Sequence, residues 1–197
     1  VFYIQYLAVV LKILKCVCFK CSSLLINKTK YNKILNMNSK ERWDYVYSIC
    51  SKIKRCGNEN EDGCGCRQPD KIKKEGLSTI TAEWSKLGES GEGDTKEQTS
   101  ILLTPEIIIK IFRRITDEDI KFMGFSPVWS RPEWMLCQVL AVPPPAVRPS
   151  VKHDAQQRSE DDITHIIINI IKSNKTLLEK IEQNANESII NDWTTVL

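Results

Sequence analysis

The sequence predicts an α+β fold that is mostly helical, and three observations support this fold class. Apolar residues recur at helical spacing along most of the 197-residue chain, with the clearest stripe in its last third. One stretch, residues 76–87, instead has the two-residue period of a strand. Eight cysteines, several of them close together in turn-like segments, indicate a region that a metal stabilises.

Composition places the chain among ordinary globular proteins. Its apolar fraction of 42% excludes wholesale disorder. The net charge of +3 is unevenly spread, because residues 1–75 hold 15 Lys and Arg against 7 Asp and Glu. A basic front half fits a polyanionic partner, since Lys and Arg release counterions from phosphates. A solvated surface explains the same charge, and from charge alone it is slightly favoured, so both interpretations stay open.

The apolar run at residues 1–14 predicts a mostly buried helix. It lacks the basic leader and small-residue cleavage site of a signal peptide, and Gln5 and Lys12 interrupt it. Because it is also too short to span a bilayer, we expect no membrane partner and cysteines that work in a reducing compartment. The chain starts without methionine and stops inside a helical pattern, so we expect a piece of a longer protein.

The next elements follow from periodicity and turn residues. Apolar spacing predicts a helix within residues 31–56, and a loop rich in Gly, Asn and Asp comes after it. A polar, glycine-rich loop is expected at 85–100. A strand is predicted between these loops. One face of it consists of Leu77, Thr79 and Thr81, and the other face consists of Ser78, Ile80 and Ala82.

A helix start is predicted at Thr104 and Pro105, with the threonine as cap and the proline at the first helical position. A short second helical turn follows at residues 116–125.

Residues 159–197 predict an antiparallel helical hairpin, in which two amphipathic helices flank a polar turn at 183–186. Ser159 and Asp162 resemble a capping box at its start. Two ordinary core helices would show the same periodicity. The apolar stripe consists of Ile163, Ile166, Ile167, Ile170, Ile171, Leu177, Leu178, Ile181, Ile189, Ile190, Trp193, Val196 and Leu197.

The cysteines predict a zinc site. Cys18 and Cys21 form a C-x2-C turn, and Cys56 and Cys64 supply a second close pair across a polar loop. Zinc takes four thiolates in a tetrahedron, and such a site is structural because it leaves no position open for substrate. Free thiols or disulfides are the alternatives. The other cysteines are Cys66, a competing ligand; Cys50, a buried thiol; Cys137, a packed strand residue; and Cys16.

A proline-rich loop follows an apolar segment. Pro143, Pro144 and Pro145 favour a rigid, extended polyproline conformation. The basic residues around this loop are expected to meet nucleic-acid phosphates; they are Arg131, Arg148 and Lys152. A stiff connector between elements explains the prolines equally well.

Several motifs together carry a family resemblance. "SRPEWMLCQVLAVPPPAVRPSV", "QRSEDDIT" and the cysteine segments "CVCFKCSSLLI", "ICSKIKRC" and "GCGCRQP" stand in this order. The chain thereby resembles the N-terminal clamp region of the largest subunit of multisubunit DNA-directed RNA polymerases. It is most similar to the RNA polymerase II type, with details that look like the branch carried by large DNA viruses.

The resemblance implies a structural Zn2+ on Cys18, Cys21, Cys56 and Cys64, with Cys66 where the family commonly has another residue. It identifies "VPPPAVRPS" as the lid, which parts RNA transcript from DNA template, and the final hairpin as the start of the clamp coiled coil, where transcription factors dock. The implied segments are a zinc-binding part (1–84), a flexible loop (85–100), a core with the lid (101–158) and the hairpin (159–197).

The resemblance also implies partners and limits. DNA template, RNA transcript, the second-largest and the smaller polymerase subunits are the expected partners, in the nucleus, or in the cytoplasm or virion if the protein is viral. The Mg2+-binding motif N-A-D-F-D-G-D of the full subunit does not occur in this chain. We therefore expect no catalytic residue and no polymerase activity from it alone. A stand-alone zinc-ribbon protein and a secreted disulfide protein are the alternatives.

Overall fold

The structure is a computed structural model that describes residues 1–57, 63–76, 79–85, 98–152 and 158–197. Leu77 and Ser78 of the predicted strand, and most of the predicted loop at 85–100, lie outside the described residues. The chain divides into two compact units, Val1–Cys137 and Gln138–Leu197. It has the α+β composition that the sequence predicts, with six α-helices and small antiparallel sheets among the described residues.

The first unit combines four α-helices, two short 3-10 helices and one sheet. In chain order these elements are α1 (Leu7–Leu14), a 3-10 helix (Asn32–Asn36), α2 (Ser39–Cys50), β1 (Lys71–Glu75), β2 (Thr79–Ser85), β3 (Gln98–Leu102), α3 (Pro105–Phe112), α4 (Asp117–Phe122) and a second 3-10 helix (Pro132–Met135).

The first helix is shorter than predicted, because the chain start pairs with a distant segment. Phe2 forms an antiparallel bridge with Leu136, and Val1 exchanges hydrogen bonds with Cys137. The strand predicted around Cys137 is wrong, since this residue follows a single bridge and is only partly buried. A pairing across more than a hundred residues leaves no local periodicity to detect.

The helix predicted within residues 31–56 is interrupted by its own cap. The side-chain oxygen of Asn38 accepts hydrogen bonds from the backbone N–H groups of Lys40, at 2.9 Å, and Glu41, at 3.4 Å. Asn38 is extended, so a new helix starts at Ser39 and the preceding turn stays a separate 3-10 helix. Local capping therefore outweighs the continued apolar spacing.

The sheet contains two strands that the sequence did not indicate. The strand order is β1-β2-β3, both pairings are antiparallel, and Ala82 lies opposite Ile72 on one side and Ile101 on the other. The predicted strand is confirmed as β2, where Ile80 and Ala82 are fully buried. Each flanking strand has only five residues, and neither has an alternating pattern long enough to predict it. Both strands are paired with β2, so their formation depends on that tertiary context.

The helices after the sheet begin where the sequence predicts. The hydroxyl of Thr104 accepts a hydrogen bond from the N–H of Ile107, and Pro105 occupies the first helical position. Thr116 caps α4 in the same way through Asp119. Apolar side chains of these helices and their neighbours fill the core; Ile108, Phe112, Ile120 and Met123 are fully buried.

The second unit consists of a small sheet and two helices. Strands β4 (Val151–Lys152) and β5 (Arg158–Ser159) pair antiparallel, and helices α5 (Asp162–Glu182) and α6 (Glu187–Val196) pack against each other. The short polar turn between the helices is confirmed. Of the described residues in both helices, only Ile167 is buried, so much of the predicted apolar stripe is solvent-exposed.

The predicted capping box is wrong. Ser159 lies in β5, and the side chain of Asp161 accepts the hydrogen bond from the N–H of Ile163 at 2.8 Å. Backbone pairing in the small sheet removes Ser159 from the helix start, and an aspartate close to the helix supplies an equally good cap.

Candidate metal centre and proline loop

The first two candidate ligands lie on a tight turn that follows α1. The N–H of Cys18 donates to the carbonyl of Ser23, and the N–H of Ser22 donates back to the carbonyl of Cys18, both at 2.9 Å. Ser22 takes the left-handed conformation with φ of 64°, which closes the turn. A bridge between Val17 and Leu24 holds its base. This backbone presents Cys18 and Cys21 on one side of the turn.

The second pair of candidate ligands lies on another turn, between α2 and the sheet. The N–H of Cys56 donates to the carbonyl of Cys66 at 2.9 Å, and the N–H of Gly65 donates to the carbonyl of Cys56 at 3.1 Å. Gly63 approaches Gly57 so closely that a side chain at this position would meet the backbone within 2.1 Å. A glycine is therefore required where the two arms of the turn meet.

The four predicted ligands converge at one point. The sulfur atoms of Cys18, Cys21, Cys56 and Cys64 all lie within 4.8 Å of one another. Two of the separations are 3.5 Å, between Cys18 and Cys64, and 3.7 Å, between Cys21 and Cys56. A tetrahedral zinc ion with Zn–S bonds of about 2.3 Å places its sulfur atoms about 3.8 Å apart. The donor set and its spacing thus fit zinc.

Disulfides are not the basis of this cluster. None of the eight cysteines, all of which lie in the described part of the chain, forms a disulfide, and both sulfur separations in the cluster far exceed the roughly 2.05 Å of a disulfide bond. This geometry does not match the paired cysteines that the alternative of a secreted disulfide protein predicts.

Three thiols of the cluster differ in how readily they ionise. Burial, together with neighbouring thiols, raises the pKa of the Cys18 and Cys56 thiols above the usual value. Burial also acts on Cys21, but hydrogen bonds from Ser23 outweigh it and lower the pKa of that thiol to about 6. One thiolate therefore forms readily while its neighbours resist ionisation, since closely spaced negative charges repel. A metal cation would compensate that repulsion.

Cys66 lies outside the group of four. Its thiol donates to the carbonyl of Arg67 at 3.6 Å, whereas its own carbonyl accepts the hydrogen bond from Cys56. Its contribution to the turn is thus made by its backbone. Cys50 is buried, as predicted, and so is Cys16, where a hydrogen bond with the Cys50 thiol and burial raise the thiol pKa.

Gln68 is a residue at the centre that sequence reasoning missed. Its side-chain amide lies 3.3 Å from the sulfur of Cys18. No periodicity singles out this glutamine. The motif "GCGCRQP" contains it shortly after the last cysteines, but nothing in that motif assigns it a role. The tertiary contact between the two turns brings it to the metal centre.

The proline loop is bent rather than extended. The N–H of Val147 donates to the carbonyl of Pro144 at 3.0 Å, and the N–H of Arg148 donates to the carbonyl of Pro145 at 3.2 Å. The predicted extended polyproline segment is therefore wrong beyond Pro144. Pro145 fits the first central position of the first turn, and Ala146 occupies the same position in the second.

The three predicted phosphate-binding residues occupy different surroundings. Arg131 forms ion pairs with Asp117 and Glu133, and its side chain is 20% exposed. Arg148 donates to Pro143 at 2.9 Å and to Thr164 at 3.3 Å. Lys152 is exposed on β4. The structure describes Arg131 in the first unit and the other two in the second.

The fold and the thiol cluster define an α+β module with a candidate metal site. The family model described as RNA polymerase Rpb1, domain 1, matches residues 1–197, and the chain belongs to this family. It is thus part of the largest subunit of an RNA polymerase, which is a DNA-directed nucleotidyltransferase that works with nucleic acids and further subunits. Among the described residues, no helix is long and apolar enough to cross a membrane.

Proposed function

We propose that this chain is the clamp segment of the largest polymerase subunit, in which it holds nucleic acid and makes no direct contribution to catalysis. The single observation that carries this proposal is the family match over residues 1–197. The four converging thiols and the proline turn support it, because they stand at the positions that the resemblance assigns to the zinc site and the lid.

The metal has a structural role in this proposal. Cys18, Cys21, Cys56 and Cys64 hold one zinc ion, which cross-links the turn after α1 to the turn before the sheet. These ligands come from segments about forty residues apart, and metal binding contributes directly to folding free energy in such sites. The four ligands fill the tetrahedron and leave no position for a substrate.

The proline turn acts as the lid that separates transcript from template. Proline side chains restrict the turn before it meets nucleic acid, so holding it in place costs little further conformational entropy. Lys152 is exposed and would contact phosphates. Arg148 uses two of its N–H groups in intramolecular hydrogen bonds, and its remaining N–H groups would also contact phosphates. The ion pairs of Arg131 with Asp117 and Glu133 offset its positive charge, so it would contribute less to phosphate binding than the other two residues.

Helices α5 and α6 form the start of the clamp coiled coil. Their exposed apolar side chains, among them Ile163, Ile166 and Leu178, offer a surface to initiation and elongation factors. DNA template, RNA transcript, the second-largest subunit and smaller subunits are the other partners. The protein works in the nucleus, or in the cytoplasm or virion if its source is viral.

The lid role is tested in the assembled polymerase. Residues Pro143–Val147 are replaced by a Gly-Ser segment of equal length, and the RNA–DNA hybrid is mapped by its sensitivity to ribonuclease H. We expect a longer hybrid with a nearly normal rate of single-nucleotide addition. An unchanged hybrid would exclude the lid role, whereas an equal loss of both properties would indicate a general folding defect.

The absence of catalytic chemistry is tested with the chain alone. A template-directed nucleotide incorporation assay with Mg2+ should detect no RNA synthesis by the purified chain, because Mg2+ is held elsewhere in the full subunit. Robust synthesis would contradict this part of the proposal.

A further inference from the structure

We propose that Gln68 is a positioning residue of the metal centre, whose amide donates a hydrogen bond to the sulfur of Cys18 and thereby increases the affinity of the site for zinc. This inference rests on the proposed zinc role of the four cysteines. Gln68 is not itself a ligand in this proposal. It affects the zinc affinity of the site as well as the stability of the fold.

The side chain of Gln68 is almost completely enclosed, with the residue 4% exposed. Its amide nitrogen lies 3.3 Å from the sulfur of Cys18 and 3.0 Å from the carbonyl oxygen of Cys66. Its amide oxygen accepts a hydrogen bond of 3.0 Å from the N–H of Phe19. Both hydrogens and the oxygen are therefore satisfied in one buried position.

The orientation of the amide follows from these partners. The backbone N–H of Phe19 can only donate, so the oxygen of Gln68 must face it. The NH2 group is then directed toward the carbonyl of Cys66, which can only accept, and toward the sulfur of Cys18. A flipped amide would set two donors against each other at Phe19 and two acceptors at Cys66.

A donor at this sulfur matters because a zinc-bound thiolate carries negative charge. A hydrogen bond from an N–H group withdraws part of that charge and orients the ligand, and in metal sites such partners change affinity by about 10–100-fold. Gln68 also connects the two ligand-bearing turns through Phe19 and Cys66, so one side chain both joins the turns and contacts a ligand.

Two variants separate the contact with sulfur from the general effect of cutting a buried residue. Gln68→Leu removes all three hydrogen bonds of the Gln68 side chain. Gln68→Glu keeps an acceptor for the N–H of Phe19 but replaces the NH2 group that faces Cys18 with a carboxylate oxygen. Ile108→Val, a core substitution on α3, is the matched control for stability. Zinc affinity is measured on the zinc-loaded chain by competition with a chromogenic chelator.

We expect both Gln68 variants to bind zinc about 10–100-fold more weakly and Ile108→Val to bind it normally. In the cobalt(II)-substituted chain, the sulfur-to-cobalt charge-transfer band should move to longer wavelength in the Gln68 variants only, because the unbonded thiolate is easier to oxidise. Affinities within twofold of the original and an unmoved band would overturn the proposal. Failure of the unaltered chain to bind zinc would instead overturn the proposed metal centre.

A direct measurement on the unaltered chain covers the case in which the variants do not fold. With 113Cd in place of zinc, a hydrogen bond from the Gln68 amide to a metal-bound sulfur transmits scalar coupling between the amide proton and the metal. We expect this coupling at the side-chain amide of Gln68. Its absence, with coupling seen at the cysteine protons, would overturn the proposal.

Discussion

Arg148 donates a hydrogen bond from Nη1 to the hydroxyl of Thr164, 3.3 Å away, and a second from Nε to the carbonyl of Pro143, 2.9 Å away. The guanidinium thus ties the proline turn to the first turn of α5. The conformation of the proline loop depends on a helix that follows it in the chain, and this dependence gives the first prediction.

Thr164→Val should loosen the proline turn without unfolding α5. Loss of one hydrogen bond removes about 0.5–1.5 kcal/mol, so the amide of Val147 should exchange its proton about fivefold faster. Hydrogen exchange measured by NMR gives this rate. Thr176→Val is the matched control, because its hydroxyl bonds only to the carbonyl of Lys172 within the same helix. Equal exchange in both variants would show that Thr164 does not hold the turn.

Cys18→Ser should abolish stoichiometric zinc binding, whereas Cys66→Ser should leave it intact. The first sulfur belongs to the group of four, and the second bonds to the carbonyl of Arg67 instead. Because zinc-binding free energy is also folding free energy, amounting to about 10–16 kcal/mol in zinc-finger peptides, the melting temperature should fall sharply in the first variant. Metal analysis and thermal unfolding measure both effects. Zinc loss in Cys66→Ser would reassign the fourth ligand.

The ion pair between Lys28 and Asp119 should make stability depend on pH at alkaline values. Nζ of Lys28 lies 2.8 Å from Asp119, whose carboxylate is only 4% exposed and has no other partner at this oxygen among the described residues. Burial alone would lower the pKa of Lys28, but Asp119 outweighs it and raises that pKa above 10.5. Because the pKa of Lys28 is raised, the ion pair stabilises the fold fully below pH 10.5. This stabilisation is lost as the pH rises through the pKa that Lys28 has in the folded protein.

Lys28→Met should therefore lower the free energy of unfolding at neutral pH by about 1–3 kcal/mol, since it leaves a buried carboxylate without its cation. The gap between the two proteins should narrow above the folded pKa. Urea unfolding of the zinc-saturated chains at neutral pH and over a series of alkaline pH values measures how the gap changes. Lys52→Met, at an exposed position, is the control and should behave like the unaltered chain. A constant gap would contradict the prediction.

Arg131→Ala should affect stability more than nucleic-acid binding. Its guanidinium joins Asp117 to Oε1 of Glu133, and the other oxygen of that carboxylate, Oε2, is buried with no hydrogen-bond partner among the described residues. Loss of hydrogen bonds to charged groups costs about 1.5–3 kcal/mol. The comparison is Lys152→Ala, which is exposed and should weaken binding of an RNA–DNA hybrid without changing stability. Normal stability with weakened binding in Arg131→Ala would instead favour a phosphate contact.

Much of the fold follows from local signals. Thr104 and Pro105 start a helix because a hydroxyl cap and a fixed φ act within a few residues. The two helices within residues 159–197 also follow from a local signal, which is the helical spacing of their apolar residues. This spacing predicts them although many of those side chains are exposed. The four cysteines were also accessible to sequence reasoning, because their spacing in turns and the family motifs both indicate them.

The remaining features depend on contacts between distant segments. Strands β1 and β3 exist because β2 offers them hydrogen bonds, and Cys137 lies beside Val1 through a pairing that no local period records. Gln68 reaches the sulfur of Cys18 only after two turns meet. The sequence alone determined the starts of α3 and α4 and the set of thiols, since these rest on short-range sterics and chemistry. The tertiary structure decided which polar side chains reach one another, because such contacts form only when packing brings remote parts of the chain together.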